Sequence, residues 1–367
     1  MNRFRGKRVL IIGAARQGLA LSRFLVGQGV HVTLNDRLSA DQLQAEIDQL
    51  TGTGVEWVLG DHPLGLLDNT DLVCVSGGVP LTLPIITEAV DRSIPLSNDS
   101  QIFMEMVKAL VVGITGSAGK TTTTSLFGRM AQAEIKPPRQ AWVGGNIGNP
   151  LIEFTSEINE NDLVIQELSS FQLELMTTSP QVAAVLNITP NHLDRHAGMA
   201  DYIRAKSRIL AFQGQGDTAV LNRDDVESWN LRSMLRGSLV SFGREKAAMK
   251  EPQVYLREGA VWAERDGNEV KLIDTSQVSL RGAHNLMNVL AACALAVALN
   301  FSPDSMAAGV DGFNGVKHRL QLVRVVNGVS WFNDSIATAP ERTLAALNTF
   351  DEPIVLLLGG RDKNLPW

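Results

Sequence analysis

The chain has 367 residues, of which 44% are hydrophobic and 20% charged, so it is long enough for two or three domains and typical in composition of a globular protein. Its formal net charge of −6 gives no electrostatic reason to expect nucleic acid or an anionic membrane as a partner. Its two cysteines, Cys74 and Cys293, lie among apolar neighbours, and we expect buried free thiols rather than a disulfide or a metal site.

No segment predicts targeting or membrane spanning. The apolar run at residues 9–12, after a basic N-terminus, is too short for the core of a signal peptide. The longest apolar run, residues 289–299, is too short to cross a bilayer and predicts a buried helix. We therefore expect a cytoplasmic protein.

The first hundred residues alternate short apolar strands with helical stretches. Strands are predicted at residues 8–12, 31–34 and 71–75, with a helix at 19–28. Such alternation is typical of a parallel, doubly wound sheet. We assign residues 1–104 to a Rossmann-like N-terminal domain.

The next stretch, residues 105–315, predicts a central α/β domain of the P-loop type. Strands are expected at 109–113, 163–166 and 182–188. Residues 217–274 differ in character, and within them the alternating apolar residues at 255–272 with an Asp266-Gly267 turn predict hairpins. We therefore expect a small antiparallel sheet beside the parallel one.

A third unit spans residues 316–367. It predicts a strand at 329–332, a helix at 340–348 and a buried strand at 354–358. One crossover of this length cannot bury both faces of its sheet, so we expect the beginning of a truncated, Rossmann-like C-terminal domain and a chain that is a fragment.

The strongest local signal is the glycine-rich turn within residues 112–124, which runs from a strand into a helix. Backbone N–H groups of such a turn bind phosphate, Lys120 is placed to reach the β- and γ-phosphates, and Thr121 to ligate Mg²⁺. The strict Walker pattern has glycine where this chain has Ile114; the glycines here are Gly113, Gly116 and Gly119. A chance glycine turn is the alternative, but lysine followed by four threonines favours a nucleotide site.

Polar side chains also follow two later strands. Glu167 ends one strand and is placed to hold the Mg²⁺ of a nucleotide, although an exposed strand-end acid is the alternative. His192 follows the next strand as a candidate ligand, whereas we interpret His196 as structural. Taken alone, Lys206 predicts a surface lysine.

In chain order, these features resemble the motifs of the Mur ligase family. The resemblance rests on Lys206 and on segments 115–122, 144–148, 167–174, 187–196, 281–288, 318–319, 333–335 and 359–363. It covers nearly the whole chain. The Glu-Leu-Ser-Ser-Phe-Gln and His-Leu-Asp-Arg-His wording is most similar to family members that add D-glutamate.

The resemblance implies an ATP-dependent amide ligase of peptidoglycan precursor synthesis. It would add D-glutamate to UDP-N-acetylmuramoyl-L-alanine through an acyl phosphate, with ATP and two Mg²⁺ ions. These small molecules would be its only partners, and the protein would be a monomer.

The resemblance also implies roles for residues at the nucleotide. ATP would contact Gly116, Ser117, Ala118, Gly119, Lys120, Thr121, Thr122, Asn285, Asn288, Arg319 and Asp334. The catalytic set would be Lys120, Glu167, His192, Lys206 and Asn146. Metal would be held by Thr121, Glu167, His192 and Lys206, the lysine being carbamylated by CO₂.

The N-terminal unit carries a broken dinucleotide fingerprint, Gly13 to Gly18, with Ala15 in place of its middle glycine. In the family this turn takes the UDP diphosphate. The implied UDP-substrate residues are Gly13, Arg16, Gln17, Gly18, Asp36, Arg37, Gly78 and Ser169. Lys363 would help to hold the carboxylate of the incoming amino acid.

Three positions depart from the family pattern. Ile336 stands where lysine is frequent after Asn-Asp-Ser, Gln101 where an acid is common, and Gly77 where proline is usual. The alternatives are a Mur ligase for another amino acid, a folylpolyglutamate-type ligase, an NAD-dependent oxidoreductase and an inactive nucleotide-binding fragment. A folate-type enzyme normally lacks the N-terminal unit, and an oxidoreductase leaves the P-loop unexplained.

Overall fold

The computed structural model describes residues 4–191, 195–337 and 340–360, which form three β-sheets in chain order. The first is a five-stranded parallel sheet of order β3-β2-β1-β4-β5. Its strands are β1 (Arg8–Ile12), β2 (His31–Asp36), β3 (Glu56–Leu59), β4 (Leu72–Val75) and β5 (Leu96–Ser97). Its helices are α1 (Arg16–Gly27), α2 (Gln44–Gln49), α3 (Pro84–Asp91) and α4 (Asp99–Met106). The predicted doubly wound unit is confirmed.

The second sheet has nine strands in the order β14-β13-β12-β11-β10-β9-β6-β8-β7. They are β6 (Leu110–Thr115), β7 (Ala141–Gly145), β8 (Leu163–Glu167), β9 (Val182–Val185), β10 (Thr218–Asn222), β11 (Ser238–Phe242), β12 (Gln253–Arg257), β13 (Ala260–Arg265) and β14 (Asn268–Asp274). Pairing is parallel from β7 to β12 and antiparallel only from β12 to β14. The predicted hairpins are present, and they continue the parallel sheet at its edge.

Helices cover both faces of this second sheet. They are α5 (Lys120–Glu134), α6 (Ser170–Leu175), α7 (Met199–Ala211), α8 (Val226–Asn230), α9 (Ala283–Ala298) and α10 (Pro303–Val310). One core includes α5, α9 and α10, and a second includes α6 and α7. The predicted buried helix is confirmed in α9, and within the described ranges no helix is both long and apolar enough to cross a membrane.

Both cysteines are buried free thiols, as expected. Cys74 lies in β4 and Cys293 in α9. Burial raises the pKa of each thiol far above its ordinary value, most of all by removing water from the thiolate. Neither group is therefore a reactive nucleophile.

The third sheet is a two-stranded antiparallel pair, β15 (Gln321–Val326) and β16 (Val329–Asn333), followed by α11 (Pro340–Leu347). The strand and helix expected here are confirmed, but the buried strand expected at residues 354–358 is wrong. That segment is irregular, and Val355 and Leu357 are 89% and 80% exposed. A strand needs a hydrogen-bonded neighbour, and in the described part of the chain no strand pairs with these residues.

The first and second units share a core and a polar seam. Phe103 of α4 packs in the same cluster as Leu151 and Val164 of the second unit. In the seam, the Nε2 of Gln172 donates to Ser100 at 2.8 Å. The Oε1 of Gln101 accepts a hydrogen bond from the Thr177 N–H at 2.8 Å. Because this bond needs only an oxygen acceptor, the amide of Gln101 can form it at a position where the family commonly has an acid.

Candidate active site

The register of the second sheet brings four strand ends to one edge. Glu167 at the end of β8 pairs with Ile114 of β6 on one side and with Gly145 of β7 on the other. Thr115 at the end of β6 pairs with Val185 of β9. Ligands of parallel sheets bind beyond the carboxyl ends of the strands, where connections diverge to both sides. A ligand site is therefore expected at this edge.

A cavity of about 490 Å³ opens there, within the range of roughly 300–1,000 Å³ that small-molecule sites occupy. Many residues predicted from the sequence line it: Ser117, Ala118, Gly119, Lys120, Thr121, Asn146, Glu167, Ser169, Lys206, Arg319 and Asp334. Residues from the second and third units thus meet at one site. His192 and Lys363 lie outside the described residues.

The P-loop is fastened to the end of β9 by Asn187. The Ser117 N–H donates to the Asn187 carbonyl at 2.9 Å, and the Ala118 N–H donates to its Oδ1 at 2.8 Å. The Asn187 Nδ2 donates back to the Ala118 carbonyl at 3.1 Å. These bonds fix the loop's shape at the N-terminus of α5, where backbone N–H groups favour an anion. Sequence reasoning assigned Asn187 no role, because it counted this residue within the strand predicted at 182–188, whereas β9 ends at Val185.

Two glycines of the loop lie against other backbone or side chains. Gly119 has φ +81°, and a Cβ atom there would lie 2.2 Å from the Oδ1 of Asn288. A Cβ at Gly116 would lie 2.9 Å from the Cβ of Leu186. Glycine is therefore required at position 119 both by its backbone conformation and by space.

The two asparagines of α9 lie at different places. Asn288 packs beneath the P-loop and accepts the Thr123 hydroxyl at 3.4 Å, while its Nδ2 donates to Asn285 at 3.1 Å. Asn285 lines a second cavity, of about 270 Å³, together with Arg319 and Phe332. This second cavity adjoins the first through Arg319, which lines both.

Two lysines converge on one carbonyl at the bottom of the cavity. The Nζ of Lys120 donates to the Gly116 carbonyl at 2.7 Å, and the Nζ of Lys206 donates to the same oxygen at 3.0 Å. Lys206 is 1% exposed, so the expectation of a surface lysine is wrong: α7 packs against the sheet on this face. Burial, and then the charge of Lys120, lower the pKa of Lys206 well below its ordinary value, while Glu167 opposes the shift.

Glu167 is a buried carboxylate with one oxygen unused by the protein. It is 1% exposed, and its Oε1 accepts from the Nδ2 of Asn146 at 2.9 Å. Its Oε2 is buried without a hydrogen-bond partner among the described residues. A buried carboxylate oxygen in this state suits a hard cation such as Mg²⁺, and Thr121 lines the same cavity.

No group of three His, Cys, Asp or Glu side chains in the described ranges is placed to hold a metal ion. Mg²⁺ commonly uses one or two protein ligands and takes the rest from water and substrate phosphates. The arrangement around Glu167 and Thr121 fits that mode of binding.

The turn after β1 is tightly packed. Gly13 has φ +102°, and its carbonyl accepts the Ser76 hydroxyl at 2.8 Å. A Cβ at Gly18 would lie 2.0 Å from the same carbonyl. The Oε1 of Gln17 accepts the Gly77 N–H at 3.4 Å, which ties this turn to the one after β4.

Asp36, at the end of β2, fixes the same turn. Its Oδ2 accepts the Ala14 N–H at 2.8 Å and its Oδ1 accepts the Leu38 N–H at 2.9 Å. Arg37 beside it is exposed. Asp36 therefore has a structural task in addition to any contact with a ligand.

Two arginines bridge the first and second units. The Nη2 of Arg16 donates to the Asn146 carbonyl at 3.0 Å, which places the turn after β1 next to the cavity. The Nη2 of Arg195 donates to the Gly78 carbonyl at 2.8 Å. The sequence pointed to Arg16 and Gly78, but Arg195 was missed because its partner lies in another unit.

The cavity wall at position 336 is apolar. Ile336 lines it where the family frequently has lysine, and it is 40% exposed. The lysine and arginine side chains that line the cavity in the described structure are Lys120, Lys206 and Arg319.

The sequence matches the Mur ligase middle domain over residues 114–296 and the N-terminal domain described as Mur ligase MurD-like over residues 7–98. The chain belongs to the Mur ligase family. Mur ligases depend on ATP and typically use Mg²⁺. Two similar relatives are both named UDP-N-acetylmuramoylalanine–D-glutamate ligase. The protein of Pelotomaculum thermopropionicum is 42% identical over 98% of this chain and 78% of its own length. The protein of Symbiobacterium thermophilum is 40% identical over 98% of this chain and 79% of its own length.

Solved structures agree on the fold. The murein peptide ligase of Psychrobacter arcticus superposes with a TM-score of 0.59 at 18% identity, over 94% of this chain and 75% of its own. The UDP-N-acetylmuramate–alanine ligase of Thermotoga maritima superposes with a TM-score of 0.57 at 20% identity, over 94% of this chain and 77% of its own. At these identities they support the architecture alone.

Proposed function

We propose that this protein joins D-glutamate to the L-alanyl carboxylate of UDP-N-acetylmuramoyl-L-alanine in an ATP-dependent reaction of peptidoglycan precursor synthesis. The observation that carries the proposal is the convergence of Lys120, Glu167 and Lys206 on one cavity that Arg16 links to the N-terminal turn. The similar relatives bear the name of this reaction. Because the reaction uses ATP and a nucleotide-linked sugar, we place it in the cytoplasm, and we propose a monomer.

A carboxylate resists attack by an amine because oxide is not a feasible leaving group. In the proposed reaction, a carboxylate oxygen attacks the γ-phosphorus of ATP, the bond to the β–γ bridging oxygen breaks, and ADP leaves. The amine of D-glutamate then attacks the acyl carbon and loses a proton, and phosphate leaves with the oxygen that came from the carboxylate. Positioning and charge stabilisation supply most of the catalysis of such phosphoryl transfer.

The P-loop supports binding of the triphosphate. In the proposal, backbone N–H groups from Gly119 to Thr122 and the charge of Lys120 bind the β- and γ-phosphates. The Nζ of Lys120 donates to the Gly116 carbonyl, and this hydrogen bond holds the Nζ beside the P-loop backbone. Asp334 and Arg319 line the same cavity from the third unit, and we propose that they contact the nucleotide.

Glu167 and Thr121 are the described residues that would hold Mg²⁺. When bound, the ion neutralises charge on the transferred phosphoryl group. Asn146 orients Glu167 through the 2.9 Å hydrogen bond, so its role includes keeping that carboxylate aimed into the cavity. We further propose a second ion, held with His192 and Lys206.

The environment of Lys206 supports carbamylation. A lowered pKa favours the neutral amine, whose lone pair attacks CO₂ to give a carbamate and release one proton. The product is an anion beside Lys120 rather than a second cation. Carbamylation therefore places a negative charge beside the Lys120 cation, and it supplies oxygen ligands that suit Mg²⁺.

We propose that the turns at Gly13–Gly18 and Ser76–Gly78 hold the UDP part of the substrate, with Asp36, Arg37 and Ser169 nearby. The Arg16–Asn146 contact brings this part of the first unit to the cavity. Domain limits at residues 1–104, 105–315 and 316–367 fit this division of tasks.

The test is phosphate release with purified protein, ATP, Mg²⁺ and UDP-N-acetylmuramoyl-L-alanine, adding one amino acid at a time. We expect release that depends on D-glutamate and stops in Lys120→Ala. Lys136→Ala is the matched control, since Lys136 also donates to a backbone carbonyl but on the exposed surface. Release that is fastest with another amino acid, or full activity of Lys120→Ala, would refute the proposal.

A further inference from the structure

A column of stacked side chains forms one wall of the active-site cavity. The guanidinium of Arg195 lies 5.2 Å from the ring centroid of Phe171. Phe171 stacks on His196 at 5.4 Å with an interplanar angle of 3°, and His196 packs against Tyr202 at 5.1 Å. We call these residues the stacked column. Phe171 and Tyr202 line the cavity directly.

The two ends of the stacked column touch two different binding sites. At one end Arg195 donates to the Gly78 carbonyl at 2.8 Å, in the N-terminal turn proposed to hold the UDP-linked substrate. At the other end the Tyr202 hydroxyl lies 3.0 Å from the Oγ of Ser117, in the P-loop. One continuous set of contacts therefore joins the substrate turn to the phosphate-binding loop.

Beyond Phe171, the stacked column is buried and held in place. His196 is 5% exposed and Tyr202 1%, and the Nε2 of His196 lies 3.0 Å from the Ser170 hydroxyl. Tyr202 also faces the Nζ of Lys206, which lies 4.8 Å from its ring centroid. Close-packed interiors transmit a displacement instead of absorbing it. Arg195 contacts Gly78 and Phe171 at the exposed end of the column, and the buried part joins these contacts to Ser117.

We propose that the stacked column couples the two binding sites, so that the UDP-linked substrate and ATP each strengthen the binding of the other. The inference rests on the proposed function, which names the ligands. A substrate seated on the turn fixes Gly78 and with it Arg195, and the column then holds Ser117. Since the first ligand fixes the exposed Arg195 end of the column, the second ligand meets a column whose motion is already restricted. Coupling of this kind is reciprocal.

Arg195, Phe171 and Tyr202 act in this proposal as positioning residues. The test is the Kd of UDP-N-acetylmuramoyl-L-alanine, measured by calorimetry with and without a non-hydrolysable ATP analogue and Mg²⁺. In the wild type we expect the analogue to lower this Kd about tenfold, within the usual range of coupling. In Arg195→Ala and Tyr202→Phe we expect the ratio of the two Kd values to approach one.

A second measurement on Tyr202→Phe and two further variants sharpen the test. Tyr202→Phe removes one hydroxyl and leaves the stack, so the Kd measured without the analogue should stay within about twofold of the wild type. Arg195→Lys keeps the charge but loses the flat guanidinium, and we expect a ratio between the two limits. Arg232→Ala is the matched control, because Arg232 stacks on Trp229 and donates to its carbonyl, and neither residue lines the cavity.

Three results would overturn the inference. The first is a wild type that binds the two ligands independently. The second is an Arg195→Ala variant whose Kd rises by the same factor with and without the analogue, since Arg195 is then only a substrate contact. The third is a wild-type ratio in Tyr202→Phe, a change small enough to leave folding intact. A wild type that does not bind the UDP-linked substrate at all overturns the proposed function together with the inference.

Discussion

Gly119→Ala is the perturbation whose cost follows most directly from the structure. The residue has φ +81°, a conformation that costs an alanine about 1–2 kcal/mol. Its Cβ would lie 2.2 Å from the Oδ1 of Asn288, so that side chain must move. Moving it breaks the 3.1 Å bond to Asn285 and leaves buried polar groups unsatisfied, which costs about 1–3 kcal/mol more.

Gly267→Ala separates the two costs. Gly267 has φ +76°, and a Cβ there would meet nothing within 4 Å. This variant therefore carries the cost of the backbone conformation without the collision. The difference between the variants, about 1–3 kcal/mol, isolates the contact with Asn288.

The assay is thermal unfolding of both variants and the wild type, followed by titration with ATP. The melting temperature falls by roughly 2–4 °C for each kcal/mol lost from the free energy of unfolding. We therefore expect Gly119→Ala to melt several degrees below Gly267→Ala. It should also raise the Kd for ATP at least about tenfold, since the loop that binds phosphate is displaced. Equal melting temperatures would refute the reasoning, because Asn288 then yields without cost.

Three further changes follow from the charges of the site. Glu167→Gln should raise the Mg²⁺ concentration for half-maximal phosphate release about tenfold or more, and an unchanged requirement would place the ion elsewhere. In CO₂-free buffer, Lys206→Met should be more stable than the wild type at pH 7. The pKa of Lys206 is lowered on folding, so the unfolded chain binds more protons and wild-type stability rises with pH up to about 10.4. The advantage of the variant in chemical denaturation should therefore shrink at pH 9.5, and a constant difference contradicts this. Ile336→Lys adds a cation to the cavity and should tighten ATP binding about fivefold at low salt, with no gain at high salt; an effect independent of salt would argue against an electrostatic cause.

The parts of the fold predicted correctly are those in which local sequence reports burial. The strands at residues 8–12 and 163–166 are each apolar at every position but one, because helices cover both faces of their sheets. β7 was missed: it ends in two glycines, and Gly145 must be one because a Cβ there would lie 2.5 Å from the Glu167 carbonyl. β15 was also missed, although it pairs with the adjacent β16. The run at residues 354–358 was wrongly expected to be buried, since its burial depends on pairing with other strands, which its own composition does not reveal.

The residues of the candidate site also divide into those that local sequence predicts and those that depend on distant contacts. Lys120 and Glu167 were found because a P-loop and a strand-end acid are local patterns. The burial of Lys206 was not, because it depends on how α7 packs on the sheet. Asn187 and Arg195 were missed for the same reason, since their partners lie in other parts of the chain.

The central claim is that phosphate passes from ATP to the substrate carboxylate before the amide forms. It is tested most directly with UDP-N-acetylmuramoyl-L-alanine carrying ¹⁸O in both oxygens of the L-alanyl carboxylate. After turnover with ATP, Mg²⁺ and D-glutamate, mass spectrometry should find one ¹⁸O in each released phosphate and one in the new amide carbonyl. Amide formed with unlabelled phosphate would contradict the account.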